Sequence, residues 1–362
     1  MTKIDVISGF LGAGKTTLIK KLLEDALKGE QVVLIENEFG EIGIDGGFLK
    51  DAGIEIREMN SGCICCSLVG DFGTALKEVI DTYHPDRIII EPSGVGKLSD
   101  VMNAVKNVDG GSDVVLNSAV TVVDVTKCKI YLKNFGEFFK NQVASAGTII
   151  LSRTDLPKAT PEKIEQALTM IRELNPEATI ITTPVEDLGG KKVMETIEGV
   201  KIDLTKFEED EHEHCHHDHD HDEHEHCHHD HDHDEHEHCH HDHDHHEHHY
   251  DENGVCSCGH HHGEHDHHHH HADEVFTSWG KETIRKYAKE EIQTILETLG
   301  DDEKYGMVLR AKGMVSAPDG TWIYFDMVPE EIDIREGAPE YTGRLCVIGS
   351  KLKEEAIEEL FA

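Results

Sequence analysis

Long apolar runs are missing from this chain. No stretch of its 362 residues approaches the ~18 apolar positions of a membrane-spanning helix. The opening "MTKIDVISGFLGAGKTT" lacks the apolar core, roughly 7–15 residues long, of a secretory leader. These absences lead us to expect a soluble cytoplasmic protein with no membrane partner. Cationic side chains are also scarce: 34 Lys and Arg stand against 73 Asp and Glu, a formal net charge of -39. Phosphates would be repelled and the basic patches of a nucleic-acid binder are missing, so nucleic acid is excluded as a partner. Cations are the better match. In a reducing compartment the ten cysteines serve more often as ligands or catalytic groups than as disulfides.

Much of the acidity sits in one segment, together with 30 of the 31 histidines, between His212 and His271. "DEHEHCHHDHDH" occurs there three times in tandem, from Asp210, Asp222 and Asp234, with cysteines at 215, 227 and 239. Apart from cysteine the repeat has no apolar residue and no aromatic. It cannot bury enough surface to offset chain entropy, so a solenoid is excluded and a disordered segment is expected. Imidazole, thiolate and carboxylate at this density can take up several borderline divalent ions. Ordinary globular composition resumes at "VFTSWGKETIRKY". The expected organisation is therefore a first domain at 1–204, the His-rich insertion at 205–275 and a small domain at 276–362.

In the first domain "KIDVIS", "QVVLIE", "DRIIIE", "SAVTVVDV" and "GTIILS" read as buried strands, alternating with helical spacing such as "KTTLIKKLLEDALK". That alternation predicts an α/β fold, a mostly parallel sheet covered by helices on both faces. After the insertion, Ile284, Tyr287, Ala288, Ile292, Ile295, Leu296 and Leu299 recur at helical spacing. The strand-like "YGMVLRAKGMV", "TWIYFDMV" and "GRLCVIG" and a closing helix follow, which predicts a small α+β domain.

"GFLGAGKT", Gly9 to Thr16, satisfies GxxxxGK[ST] between a strand and a helix, the context a phosphate-binding loop requires. Its glycines let backbone N–H groups and a helix amino terminus face the phosphates. Lys15 would reach the β and γ phosphates, and the Thr16 hydroxyl would ligate Mg²⁺. Gly9, Gly12, Ala13, Gly14, Lys15, Thr16 and Thr17 are the candidate contacts. "RIIIEPSG" ends a strand in an acid with glycine three residues on, so Glu91 is expected near the Mg²⁺ shell and Gly94 near the γ phosphate. Lys15 and Glu91 are the catalytic candidates. In "ILSRTDL" Asp155 matches the last position of the guanine-reading NKxD pattern, a carboxylate accepting from guanine N1–H and N2–H₂. Ser152 and Arg153 stand where Asn and Lys are usual; the arginine offers a flat guanidinium to lie along the base. GTP and GDP are the expected nucleotides.

"NSGCICCSL" lies between these motifs. Cys63, Cys65 and Cys66 supply up to three thiolates, which favour Zn²⁺, Co²⁺ or Ni²⁺ over Mg²⁺, with a further ligand from elsewhere. A redox centre and buried structural thiols are the other readings; CICC lacks the usual CxxC spacing. Cys128 and Cys346 read as plain buried cysteines.

With "GFLGAGKTT", "ENEFGEIGID", "GCICC", "EPSG" and "RAKG" together, the chain resembles the CobW-type metallochaperone GTPases, relatives of the nickel-insertion GTPases for urease and hydrogenase. The match covers roughly residues 1–200 and 276–362. It departs from the family at Ser152 and Arg153 and at "ASAGTIIL", where an Ala-Asp is common. The resemblance implies that Glu36 and Glu41 of a switch-like segment are donors near the CICC thiols, and that a metal-receiving client protein is the partner. A metal buffer built on the His-rich tract and a GTPase assisting corrinoid assembly share the same motifs. The metal, the client and the oligomeric state stay open at this point.

Overall fold

The computed structural model describes residues 1–37, 55–59, 69–106, 114–200 and 272–362. Most of the expected insertion lies outside the described residues, and so do Glu41, Cys63, Cys65 and Cys66. The described residues fall in one compact unit, built from Met1–Glu208 and His270–Ala362.

Its first sheet has seven strands: β1 (Thr2–Gly9), β2 (Val32–Asn37), β3 (Glu55–Met59), β4 (Arg87–Glu91), β5 (Val114–Asp124), β6 (Thr148–Ser152) and β7 (Thr179–Ile181). Every pairing is parallel, in the order β3-β2-β4-β1-β5-β6-β7. The five expected strands are all present. β3 and β7 add to them: "EIREM" carries few apolar residues and "TII" is too short to announce itself.

Strand alternation divides the apolar residues between two faces. Ile4 and Val6 of β1 and Ile88 and Ile90 of β4 pack with Leu98, Met102, Phe138, Val143 and Ile171. Ile7, Leu34, Ile89, Val122 and Ile150 pack on the other side with Leu18, Ile19, Leu22, Val193 and Ile197. Being covered twice is why these strands read as unbroken apolar runs.

The second sheet is antiparallel: β8 (Thr277–Thr283), β9 (Met307–Ser316), β10 (Trp322–Val328), β11 (Glu331–Gly337) and β12 (Gly343–Ser350), in the order β11-β10-β9-β12-β8. The expected helix begins at Lys289, not near Ile284. Ile284 is exposed at 94%, and Tyr287 is held by its hydroxyl donating to the Phe361 carbonyl at 2.7 Å. β8 was not expected; its register with β12, Trp279 opposite Val347, overrides the weak local preference of "TSWGKET". One face of this sheet packs on the helix Lys289–Thr298 through Ile292, Leu296, Ile323 and Phe325.

The two sheets also share a core. Ala272, Phe276, Leu309, Cys346 and Ile348 are buried with residues of the first sheet's helices. Phe276 lies 5.1 Å from Phe135, 5.2 Å from Phe138 and 6.2 Å from Phe10 between ring centroids. Cys128 and Cys346 are buried; burial, with Asp124 nearby, pushes Cys128 up to about 12 and keeps it inert. No helix among the described residues is long and apolar enough to cross a membrane.

At the amino-terminal edge of the parallel sheet Arg87 is fully buried. Its guanidinium pairs with Asp5, with Glu30 at 2.9 Å and with Glu198 at 2.7 Å. Asn117 and Ser118 complete the shell of Asp5 at 2.7 and 2.6 Å. Burial opposes the arginine's charge, yet these carboxylates raise its pKa overall. Removing one partner of such a pair leaves the other charge uncompensated. Arg87→Met is expected to destabilise the full chain by about 3–5 kcal/mol, read from denaturant midpoints. A loss under about 1 kcal/mol would show the network to be dispensable.

Candidate nucleotide site

All seven strands run the same way, so their carboxyl ends share one edge. β1 ends there in Gly9, opposite Val122; β2 and β4 bring Glu36 and Glu91 into register; β5 and β6 bring Asp124 opposite Ser152. From Gly9 the chain turns through a loop into the helix Lys15–Asp25. Gly9, Gly12 and Gly14 have φ of +145°, +66° and +102°, a region closed to most side chains.

Steric demand is as severe as torsional demand. A Cβ at Gly9 would stand 2.4 Å from the Val122 carbonyl oxygen, and one at Gly94 only 2.7 Å from the Leu11 nitrogen. Gly94 thus lets the loop after β4 press against the phosphate loop. Gln142 holds it there: its fully buried side chain donates from Nε2 to the carbonyls of Gly94 at 3.2 Å and Gly96 at 2.8 Å.

Lys15 is buried and its Nζ donates to the Gly9 carbonyl at 3.0 Å and that of Phe10 at 3.4 Å. The Thr16 hydroxyl meets Glu91, with Oγ1 at 3.1 and 3.2 Å from the two carboxylate oxygens. The structure therefore brings together Gly9, Gly12, Gly14, Lys15, Thr16, Glu91 and Gly94. A cavity of about 370 Å³ is lined by Gly12, Gly14, Lys15, Thr16 and Glu91 of this group, and also by Thr17 and Lys20.

A second cavity, about 300 Å³, adjoins the loop and holds Ala13, Thr17, Ser152, Arg153 and Asp155 with Leu156, Val185 and Glu186. Asp155 is exposed. Arg153 has φ +58° and lines both cavities. Its Nη1 donates to the Gly12 carbonyl at 2.7 Å and to Asp124 at 3.0 Å, which ties the arginine to the phosphate loop. Asp124 is buried and also accepts from the Thr126 amide and hydroxyl at 2.8 and 2.7 Å.

Sequence reasoning missed Asp124, Gln142 and one whole wall of the first cavity. "VTVVDV" ends a buried strand in an acid just as "RIIIE" does, and that signal was there to be used for Asp124. The wall comes from β9, β10 and β11: Arg310, Asp326, Val328, Glu331, Asp333 and Arg335. Val328 packs so closely that a Cβ on Gly12 would lie 2.4 Å from its Cγ1. Among the described residues no group of three or more His, Cys, Asp or Glu is arranged to hold a metal ion. Glu36 is buried at the carboxyl edge of the sheet; the other expected transition-metal ligands, Glu41, Cys63, Cys65 and Cys66, lie outside the described residues.

Residues 3–182 match the CobW/HypB/UreG nucleotide-binding domain, and residues 276–362 match the cobalamin synthesis protein cobW C-terminal domain. The chain is 33% identical over 254 residues to the zinc chaperone CobW of a Sinorhizobium species, which covers 60% of this chain and 70% of that protein. The chain belongs to the CobW family. It is accordingly a P-loop GTPase with a CobW C-terminal domain. Other CobW relatives are matched over different lengths. Identity to the zinc chaperone YeiR of Escherichia coli K12 is 34% over 168 residues, covering 46% of this chain and half of that protein. The zinc-regulated GTPase metalloprotein activator 1 of Schizosaccharomyces pombe is 25% identical over 344 residues, covering 91% of this chain and 76% of that one.

The close approach at Gly94 gives a test of this geometry. Gly94→Ala is expected to weaken GTP binding at least about tenfold, or ~1.4 kcal/mol, in nucleotide titrations. Gly73→Ala, where an added Cβ meets nothing within 4 Å, is expected to leave affinity unchanged. Equal affinities would mean that the loop after β4 has no part in holding nucleotide.

Proposed function

We propose that this CobW-family GTPase is a metallochaperone: it binds a transition metal ion at the CICC segment and releases it to a client protein according to its nucleotide state. The organisation proposed is a GTPase domain at 1–204, a metal-binding insertion at 205–275 and the C-terminal domain at 276–362. The observation that carries the reading is chain geometry at the sheet's carboxyl edge. β3 ends at Met59 on the edge that bears the phosphate loop, and Cys63 follows four residues later, a reach of at most about 14 Å. Glu36 sits at that edge in register with Glu91, which touches Thr16. The names of the relatives, zinc chaperones and a zinc-regulated activator, support zinc as the first candidate cargo, with Co²⁺ and Ni²⁺ as alternatives.

In hydrolysis Lys15 would neutralise charge on the β and γ phosphates, and the loop's N–H groups would cradle them. Thr16 and Glu91 form a hydroxyl and carboxylate pair of hard oxygens, which fits Mg²⁺. The bound ion would supply Lewis-acid stabilisation of phosphoryl charge. Asp155 would select guanine in the smaller cavity, with Ser152 and Arg153 beside it. The His-rich tract would capture ions in many weak sites and feed the thiols. GTP is expected to exceed ATP in kcat/KM; equal values would remove the guanine assignment.

Thiolates beside a nucleotide-dependent segment make metal and GTP affinities reciprocal. Zn²⁺, Co²⁺ and Ni²⁺ affinities are expected to differ by roughly 5–150-fold between the GTP and GDP states, and metal should change GTP affinity by the same factor. Titrations are made on the full chain, on a form lacking residues 208–273, and on both with Cys65→Ser. The coupling should persist without the tract and vanish with the serine. One affinity in both nucleotide states would overturn the proposal.

A further inference from the structure

The wall that the second sheet raises over the phosphate loop carries two arginines, Arg310 and Arg335, among three carboxylates. Register pairs Lys312 with Asp326 and Asp326 with Asp333 across three strands, and Val328 with Glu331 one step along. Alternation therefore puts Arg310, Asp326, Val328, Glu331, Asp333 and Arg335 on one face, the face toward Lys15 and Thr16. Three arginine–carboxylate pairs ring the cavity. Arg310 Nη2 lies 2.6 Å from Asp326, Arg153 Nη2 lies 3.0 Å from Glu331, and Arg335 pairs with Asp333. A guanidinium with a carboxylate beside it is held ready for a phosphate, since its five N–H donors can serve both oxyanions.

Two of these arginines belong to the second sheet, and they are not equivalent. β11 is an edge strand, and the Arg335 side chain is 38% exposed. β9 is paired on both sides, by β10 and β12, and the Arg310 side chain is 18% exposed. Arg310 opens the "RAKG" stretch, which the nucleotide and metal readings left without a role. Contact between wall and loop is direct, through Val328 on Gly12 and the Arg153–Glu331 pair.

We propose that Arg310 is a catalytic residue of the GTPase, a phosphate-contacting arginine supplied in cis by the C-terminal domain. The inference rests on the GTPase activity of the family. In the reaction a water oxygen forms a bond to the γ phosphorus. The bond from that phosphorus to the β–γ bridging oxygen breaks, its electron pair stays on GDP, and a water proton passes to the released phosphate. Negative charge grows on the bridging oxygen and the transferring group, and a cis arginine stabilises it there more than in the ground state. Asp326 positions the guanidinium, and the C-terminal domain becomes part of the catalytic unit.

The experiment uses the full chain, with single-turnover GTP hydrolysis, GDP affinity, and capture of GDP with aluminium fluoride as a transition-state mimic. Lys15→Ala is the reference for loss of the GTPase itself: if wild type and Lys15→Ala hydrolyse GTP equally, the enzyme assignment fails independently of Arg310. Arg310→Ala is expected to lower kcat by about 10²–10³-fold, keep the GDP Kd within about threefold, and lose the aluminium fluoride complex. Arg310→Lys should recover part of kcat. Arg310→Gln, which keeps the length and removes the charge, carries the same expectation should the alanine form not fold. Hydrolysis within threefold of wild type in Arg310→Gln overturns the proposal. So does a fall in kcat matched by an equal loss of GDP affinity with the mimic still captured, which would mark Arg310 as a strut of the interface.

Discussion

The phosphate loop is packed so closely from three directions that a side chain is excluded at Gly9, at Gly12 and at Gly94 pressed against it, and the site is arranged around that exclusion. Val122 of β5 closes on Gly9, Leu11 meets Gly94 after β4, and Val328 of β10 covers Gly12. Each approach needs a hydrogen where any other residue has a Cβ, and three of the loop's glycines also take positive φ. What this secures is a row of backbone N–H groups at a helix amino terminus, the element that an anionic nucleotide requires. Buried polar groups then brace the surroundings: Gln142 fixes the Gly94 loop, and Asp124 holds the Arg153 guanidinium against the Gly12 carbonyl.

Polarity along the parallel sheet separates structure from chemistry. At its amino-terminal edge Arg87 and its carboxylates are satisfied by one another, as a fold-specifying network is. At the carboxyl edge Glu91 and Asp124 end β4 and β5 and Glu36 is the last residue but one of β2, where the chain turns from the core toward the loops. This is the edge at which open α/β sheets bind ligands, because helix amino termini converge there.

Much of this was legible in the residues. "GFLGAGKT", "RIIIEPSG" and "ILSRTDL" each combine a buried strand with a punctuating glycine or acid, and β1, β4 and β6 lie where those strings put them. β8 and β11 were illegible for a physical reason. "TSWGKET" and "EIDIREG" form one-sided strands whose identity comes from pairing, β8 with β12 and β11 with β10, and pairing partners distant in sequence leave no local trace. Helical spacing at Ile284, Tyr287 and Ala288 misled because period alone cannot tell a helix from residues just ahead of one. The wall over the phosphate loop was hidden for the same reason, since a face assembled from three strands appears in sequence only as scattered alternate residues. The CICC ligands fall outside the described residues.

The chain is anchored in the core both before and after the His-rich tract. Before it, Ile197 is buried in one core cluster with Ile7 and Leu22. On the far side Ala272 is buried at once, and Phe276 inserts among Phe10, Phe135 and Phe138. Both anchors belong to cores that also hold strand residues of the parallel sheet. The second anchor has a further consequence. Phe10 belongs to the phosphate loop, and its ring stacks on Phe135 at 5.4 Å and lies 4.4 Å from Tyr131. The first residue of the matched C-terminal domain, Phe276, therefore shares one aromatic cluster with Phe10 of the phosphate loop, and that cluster, with the Val328 contact, makes the two matched domains one packed unit.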